Sequence, residues 1–252
     1  MGLVYLANKG LIRKYPEGMV DWTKSLIQPG QAKAAVKAAE LTAEEVEIIL
    51  LKLDQLAMSK QHEAIATMLA EEAESILLAI RMVKEETKEP FLGMLGVGSN
   101  LEMLWLRPKD VGSTTLLNSA GTAGLGLYSG TSAGVYTWLK SFIAGTSADI
   151  IPEQTMVEEA AVLHLGGIDT VEIPKLESIT FTLAGIPAPA QSLPFNLRKS
   201  VGATDLPFVR FEKPIIVGPE KKQKVAVMPN ITGDSKFQLL SLLIAKASSL
   251  TA

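Results

Sequence analysis

The run from Val171 to Ser248 constrains the fold of this chain more than any other part of its sequence. Short pieces rich in β-branched and aromatic residues, Leu176–Leu183, Phe208–Phe211, Ile215–Val217 and Lys224–Met228, alternate there with Pro and Gly. Nine of the 13 prolines lie beyond residue 150, mostly between these pieces, as expected of strands joined by rigid turns. Leu176–Leu183 sets Ile179, Phe181 and Leu183 against Ser178, Thr180 and Thr182, the two-residue period of a strand with one covered face. Pro187, Pro189 and Pro194 are expected to exclude regular structure until about Phe195. The leucines of Phe237–Ala247 also suit a helix, but after this series of strands a closing strand buried on both faces is expected.

Upstream the period changes. Residues 1–30 mix Tyr5, Tyr15 and Trp22 with charges and turn formers and read as an irregular arm. From residue 31 to 90 the pattern is helical. Leu41-Thr42-Ala43-Glu44-Glu45-Val46 carries a capping box, Thr42 with Glu45, and a hydrophobic staple, Leu41 with Val46, so a helix is expected to start at Ala43. Its apolar positions Val46, Ile49, Leu50, Leu53 and Leu56 resume at Ile65, Met68, Leu69, Ile76, Leu77, Ile80 and Val83, and Pro90 stops the pattern. The polar stretch Met58–Glu63 fits either a helical hairpin or one long bent helix. The charges Glu44, Glu47, Lys52, Glu71, Glu74, Arg81 and Lys84 mostly follow the opposite, solvent face.

Composition narrows the function classes. At 252 residues the chain can bury a core without metal or disulfide. A net charge of -3 argues against a protein built to neutralise phosphates, and no nucleic-acid site is evident. With no cysteine, and with His62 and His164 as the only histidines, neither a metal site nor a cofactor is expected. Gly2–Ala7 is too short for a signal-peptide core and is followed by Lys9, Arg13 and Lys14, so no secretory signal is expected. Lys221, Lys222 and Lys224 are expected in a solvated turn, and Asn230-Ile231-Thr232 is a glycosylation sequon only for a secreted chain.

Between Asp110 and Lys140 there is no charged residue, and Gly, Ser and Thr are scattered among Leu, Ala, Tyr and Trp. Asn118 and the glycines interrupt any apolar run of membrane-spanning length, so burial against the protein's own core or a neighbouring subunit is expected instead. This segment holds Gly130-Thr131-Ser132-Ala133-Gly134, a G-x-S-x-G pentapeptide in which the glycines permit a turn that exposes the serine. It resembles the serine motif of patatin-like lipases, which implies an aspartate partner in an Asp-Gly motif and a Gly- and Arg-rich oxyanion loop; neither is recognisable here. A conventional triad would have to combine Ser132 with Asp149 and His164, in too little chain for a hydrolase sheet. The glycines read as structural, His164 as a half-buried histidine, and the protein as a non-enzyme.

The expected architecture is α+β: an irregular arm (1–30), a helical hairpin or long helix (31–90), then a Gly-rich segment and an antiparallel β-sandwich or jelly-roll-like module (91–252). The order Phe211, Pro214, Ile215–Val217, a basic turn and Val225–Val227 resembles the jelly-roll coat proteins of tailless icosahedral viruses. That resemblance implies a self-assembling virion shell subunit, located in a virion or a cytoplasmic assembly, with itself and other virion proteins as partners. Tyr5, Trp22, Leu53, Ile76, Leu125, Tyr128 and Trp138 are then the expected interface residues. Two other readings stand beside it: a serine hydrolase acting through Ser132, and a ligand-binding β-module with a helical oligomerisation segment.

Overall fold

A computed structural model describes residues 41–60, 63–94, 99–111, 117–119, 138–169, 176–184, 191–196 and 209–250. The helical part comprises α1 (Ala43–Lys60), α2 (Glu63–Glu71) and α3 (Ala73–Thr87). The predicted capping box forms: the Thr42 N–H donates to Glu45 Oε2 at 2.8 Å, and the Glu45 N–H to Thr42 Oγ1 at 3.2 Å. Glu45 does more than cap. Its carboxylate also accepts from Lys84 Nζ at 2.8 Å and from the Phe91 N–H at 3.0 Å. The first turn of α1 is thereby tied to the end of α3 and to the chain beyond it, so the helices double back as a hairpin rather than run as one long helix. Lys88, left-handed at φ 58°, closes α3 by donating its N–H to the Lys84 carbonyl at 2.9 Å.

The strands are β1 (Leu101–Trp105), β2 (Leu117–Ser119), β3 (Trp138–Phe142), β4 (Ala148–Met156), β5 (Ala160–Asp169), β6 (Leu176–Ala184), β7 (Gln191–Asn196), β8 (Val209–Val217), β9 (Lys222–Pro229) and β10 (Gly233–Lys246), with a short α4 (Pro108–Val111) after β1. They form two antiparallel five-stranded sheets. The first runs β1-β10-β5-β8, with β3 pairing the N-terminal half of β10 on the edge whose other half pairs β1. The second runs β2-β4-β9-β6-β7. From β3 onward the pairing is nested: β3 with β10, β4 with β9, β5 with β8 and β6 with β7.

Strand β10 is buried on both faces, as its apolar run predicts, and the two faces serve different cores. Leu240, Leu242 and Ile244 join Ala161, Leu163 and Leu165 of β5 and Leu101, Met103 and Trp105 of β1 against Leu53, Leu69, Ile76 and Ile80 of the helices. Leu239, Leu243 and Ala245 join Ala160 and Val162 of β5 against Ile179 and Phe181 of β6 and Val225 and Val227 of β9. The first sheet therefore lies between the helices and the second sheet. Residue 90 separates compositions but not cores.

Three sequence expectations need correction. Phe208–Phe211 and Ile215–Val217 are not separate strands, since β8 passes through Pro214; and β7 contains Pro194. Among the described strands both prolines sit on outermost ones, where a missing N–H interrupts no described ladder on the outer side. Pro152, in the middle of β4, falls where the β4–β9 register slips between Gln223 and Val225. Lys222 and Lys224 lie on β9 rather than in a turn, paired with Glu153 and, at 3.1 Å, Asp149 on β4.

At Gly166 strands β5 and β8 come so close that an added Cβ would fall well inside contact distance of the Val209 carbonyl oxygen. Gly166→Ala is expected to cost about 2–3 kcal/mol in urea denaturation, because the obstacle is backbone. Glu45→Ala is expected to cost about 2–4 kcal/mol by the same measurement, since it removes a cap and leaves Lys84 without that partner. Burial acts to raise the Glu45 carboxyl, but the bonds from Lys84, Thr42 and Phe91 outweigh it and hold the carboxyl below 4.5. Its contribution is thus complete above pH 4.5 and is lost as pH falls through the lowered folded value; Glu45→Gln is expected to flatten that acid limb.

Candidate functional site

Of the residues considered for a serine triad, Asp149 and His164 are each committed to other partners. Ser132 lies outside the described residues. Asp149, near the start of β4, pairs with Lys224 at 3.1 Å. His164, expected to be half-buried, is 0% exposed and points between the sheets. Its Nε2 lies 2.9 Å from Gln223 Oε1, an atom that only accepts, so the proton resides on Nε2. Nδ1, 2.7 Å from Ser241 Oγ, then accepts the serine hydrogen. Burial pushes the imidazole down to about 4, against an upward pull from Gln223, so it is neutral at pH 7. A ring with both nitrogens engaged and no exposed edge is a poor general base.

Around this bridge the interior is aromatic and polar by turns. The His164 ring lies 4.7 Å from that of Phe181, which meets Phe211 edge-on at 5.2 Å. Gln223 Nε2 reaches Met156 Sδ at 3.7 Å. Gln154, opposite Gln223 in the β4–β9 register and 2% exposed, has neither amide atom hydrogen-bonded. Among the described residues no group of three or more His, Cys, Asp or Glu is placed to hold a metal ion, and no helix is long and apolar enough to cross a membrane.

The expected interface residues divide into three sets. Tyr5, Trp22, Leu125 and Tyr128 lie outside the described residues. Trp138 opens β3, in register with Phe237 of β10. Leu53 and Ile76 are 1% and 0% exposed inside the helix–sheet core, which corrects the expectation that they face another copy. The helical stripe is covered by the chain's own sheet.

One apolar surface was missed. The β3–β4 turn and the β9–β10 turn are joined by a bond from the Gly145 N–H to the Pro229 carbonyl (2.8 Å) and one from the Ala144 N–H to Thr232 Oγ1 (3.1 Å). At this shared tip Ile143 is 65% exposed and Ile231 38%. Residues 141–147 and 225–233 carry no charge. The signal was present in the sequence, as two isoleucines each set among turn formers, but periodicity assigns such residues to neighbouring strands.

Comparison with known proteins finds no family model that matches the chain and no curated protein similar to it. Leu53→Asp is expected to abolish the cooperative melting transition, because it places a charge in a closed core. Ile143→Lys, at the tip, is expected to leave the melting temperature within about 2 °C in the same calorimetric measurement.

Proposed function

We propose that this chain is a structural, self-associating subunit of the jelly-roll type, building the shell of a virion or a comparable cytoplasmic assembly. The nested strand order carries the reading. Eight strands, β3 to β10, pair first with last and inward to β6 with β7, and alternate pairs fall in opposite sheets. A long hairpin rolled over itself has this order, which is that of a two-sheet jelly roll. On this reading β1, β2 and the helices are additions to the roll.

The same architecture serves lectins and other binding proteins, so the fold alone does not choose the function. Two surface features favour assembly. The outer strands β7 and β8 carry Pro194 and Pro214, and β8 also exposes Glu212 and Lys213, so strand addition at those edges is obstructed. Association then passes through the ends of the roll, where Ile143 and Ile231 form a neutral apolar tip. An uncharged patch can meet its own symmetry mate without like-charge repulsion.

Light scattering behind a sizing column, with negative-stain images of each peak, tests this directly. The wild-type chain is expected to form large regular particles. The pair Ile143→Lys and Ile231→Lys is expected to shift at least 10-fold more protein into small species while keeping the wild-type melting temperature. A wild-type chain that stays monomeric over the concentration range in which shells form would sink the proposal.

A further inference from the structure

We propose that His164 is an acid-sensitive latch: neutral, it bridges the two sheets, and its protonation opens them. The inference is independent of assembly, because the bridge lies within one chain. His164 stands on β5 of the first sheet, Ser241 on β10 of the same sheet and Gln223 on β9 of the second. The line of bonds from Ser241 Oγ (2.7 Å) through the ring to Gln223 Oε1 (2.9 Å) therefore crosses the gap between them.

The bridge carries no charge while Nδ1 is unprotonated. A proton added there reverses the bond, so that Nδ1–H donates to the Ser241 hydroxyl, and places a full charge in a site that is 0% exposed at both residues. Among the described residues no counter-charge is seen to contact the ring. Among the described residues the ring meets Phe181 of β6, Gln223 of β9 and Ser241 of β10, and Phe181 in turn meets Phe211 of β8. The charged groups on the strands around it are engaged elsewhere or exposed: Lys222 and Lys224 with Glu153 and Asp149, Arg210 with Glu71 and Glu72, Lys246 with Glu89 and Glu159. Glu177, Glu212 and Lys213 are exposed. A buried unpaired charge is costly enough that protonation proceeds by separating the sheets.

The sign follows from the folded ring being the weaker base. Stability from this site is complete above pH 6.5, the ordinary histidine value, and falls as pH drops toward about 4, where the folded ring would itself take the proton. Glu45, held below 4.5, loses its contribution as pH falls through that lowered value, beneath most of the range in which the His164 contribution falls.

The test is urea unfolding of the full chain between pH 7.5 and 4.5, with His164→Gln and, as control, His62→Gln. The wild-type and His62→Gln proteins are expected to lose roughly 100-fold in the folding equilibrium constant across the window, and His164→Gln is expected to lose less than 5-fold. Should His164→Gln fail to fold, the ring carbon resonances of the wild-type chain give the answer: His164 stays neutral until the sheets open. Equal pH dependence in His164→Gln and wild type overturns the latch, as does a ring that titrates near 6.5 in the intact fold.

Discussion

The structure depends on a sheet with two apolar faces. In β10, Leu239 to Ala245 are each 0% exposed, with odd-numbered positions facing the second sheet and even-numbered ones facing the helices. A fully buried Leu or Ile contributes about 2–3 kcal/mol, so five such residues on one strand contribute on the order of 10 kcal/mol, comparable to the net stability of a whole domain. Releasing β10 would open both cores at once. The helices are consequently a cover for the sheet and not an appendage, and Glu45 fixes that cover by joining its first turn, its last turn and the chain that leads into β1.

Polar groups inside this layered core are placed where the chain changes direction or where sheets meet. After β1, Asp110 receives the Arg107 N–H at 2.8 Å and the Arg107 guanidinium at 2.8–3.2 Å, both residues buried, and so fixes the corner at α4. On β1 itself Glu102 accepts the Met103 N–H at 2.8 Å and pairs with Lys52 of α1 at 2.6 Å, which ties that strand to the helix layer. His164 plays the corresponding part between sheets. Such groups select one arrangement among many apolar ones, because a misplaced partner leaves a buried donor or acceptor unmet.

How much of this was readable in advance depends on whether the signal was local. The start of α1 was fully legible, since Thr42 and Glu45 satisfy each other within one turn. The strand at Leu176 was legible from its alternation, and β10, whose leucines also suit a helix, only from its place after a series of strands. Pro214 and Pro194 misled because a proline reads as a stop, whereas an outermost strand tolerates it; edge position is a tertiary fact. Lys84 meeting Glu45 across 39 residues, and His164 meeting Gln223 across 59, have no sequence period at all. Leu53 and Ile76 were rightly read as an apolar face, but which surface covers such a face is decided only when the sheet arrives. Ser132, Asp149 and His164 illustrate the converse, a motif whose supposed partners the fold commits elsewhere.

The proposed shell role suits a subunit whose helices and sheets share one core, and suits a β-module with a detachable helical stalk poorly. Native-state hydrogen exchange at neutral pH separates the two most directly. Amides of α1 and α3 should open with the same free energy and the same denaturant dependence as those of β5 and β10, because they share one core. Helices that exchange several kcal/mol more readily than the sheets would contradict a single unit and return the helical segment to the role of an attachment.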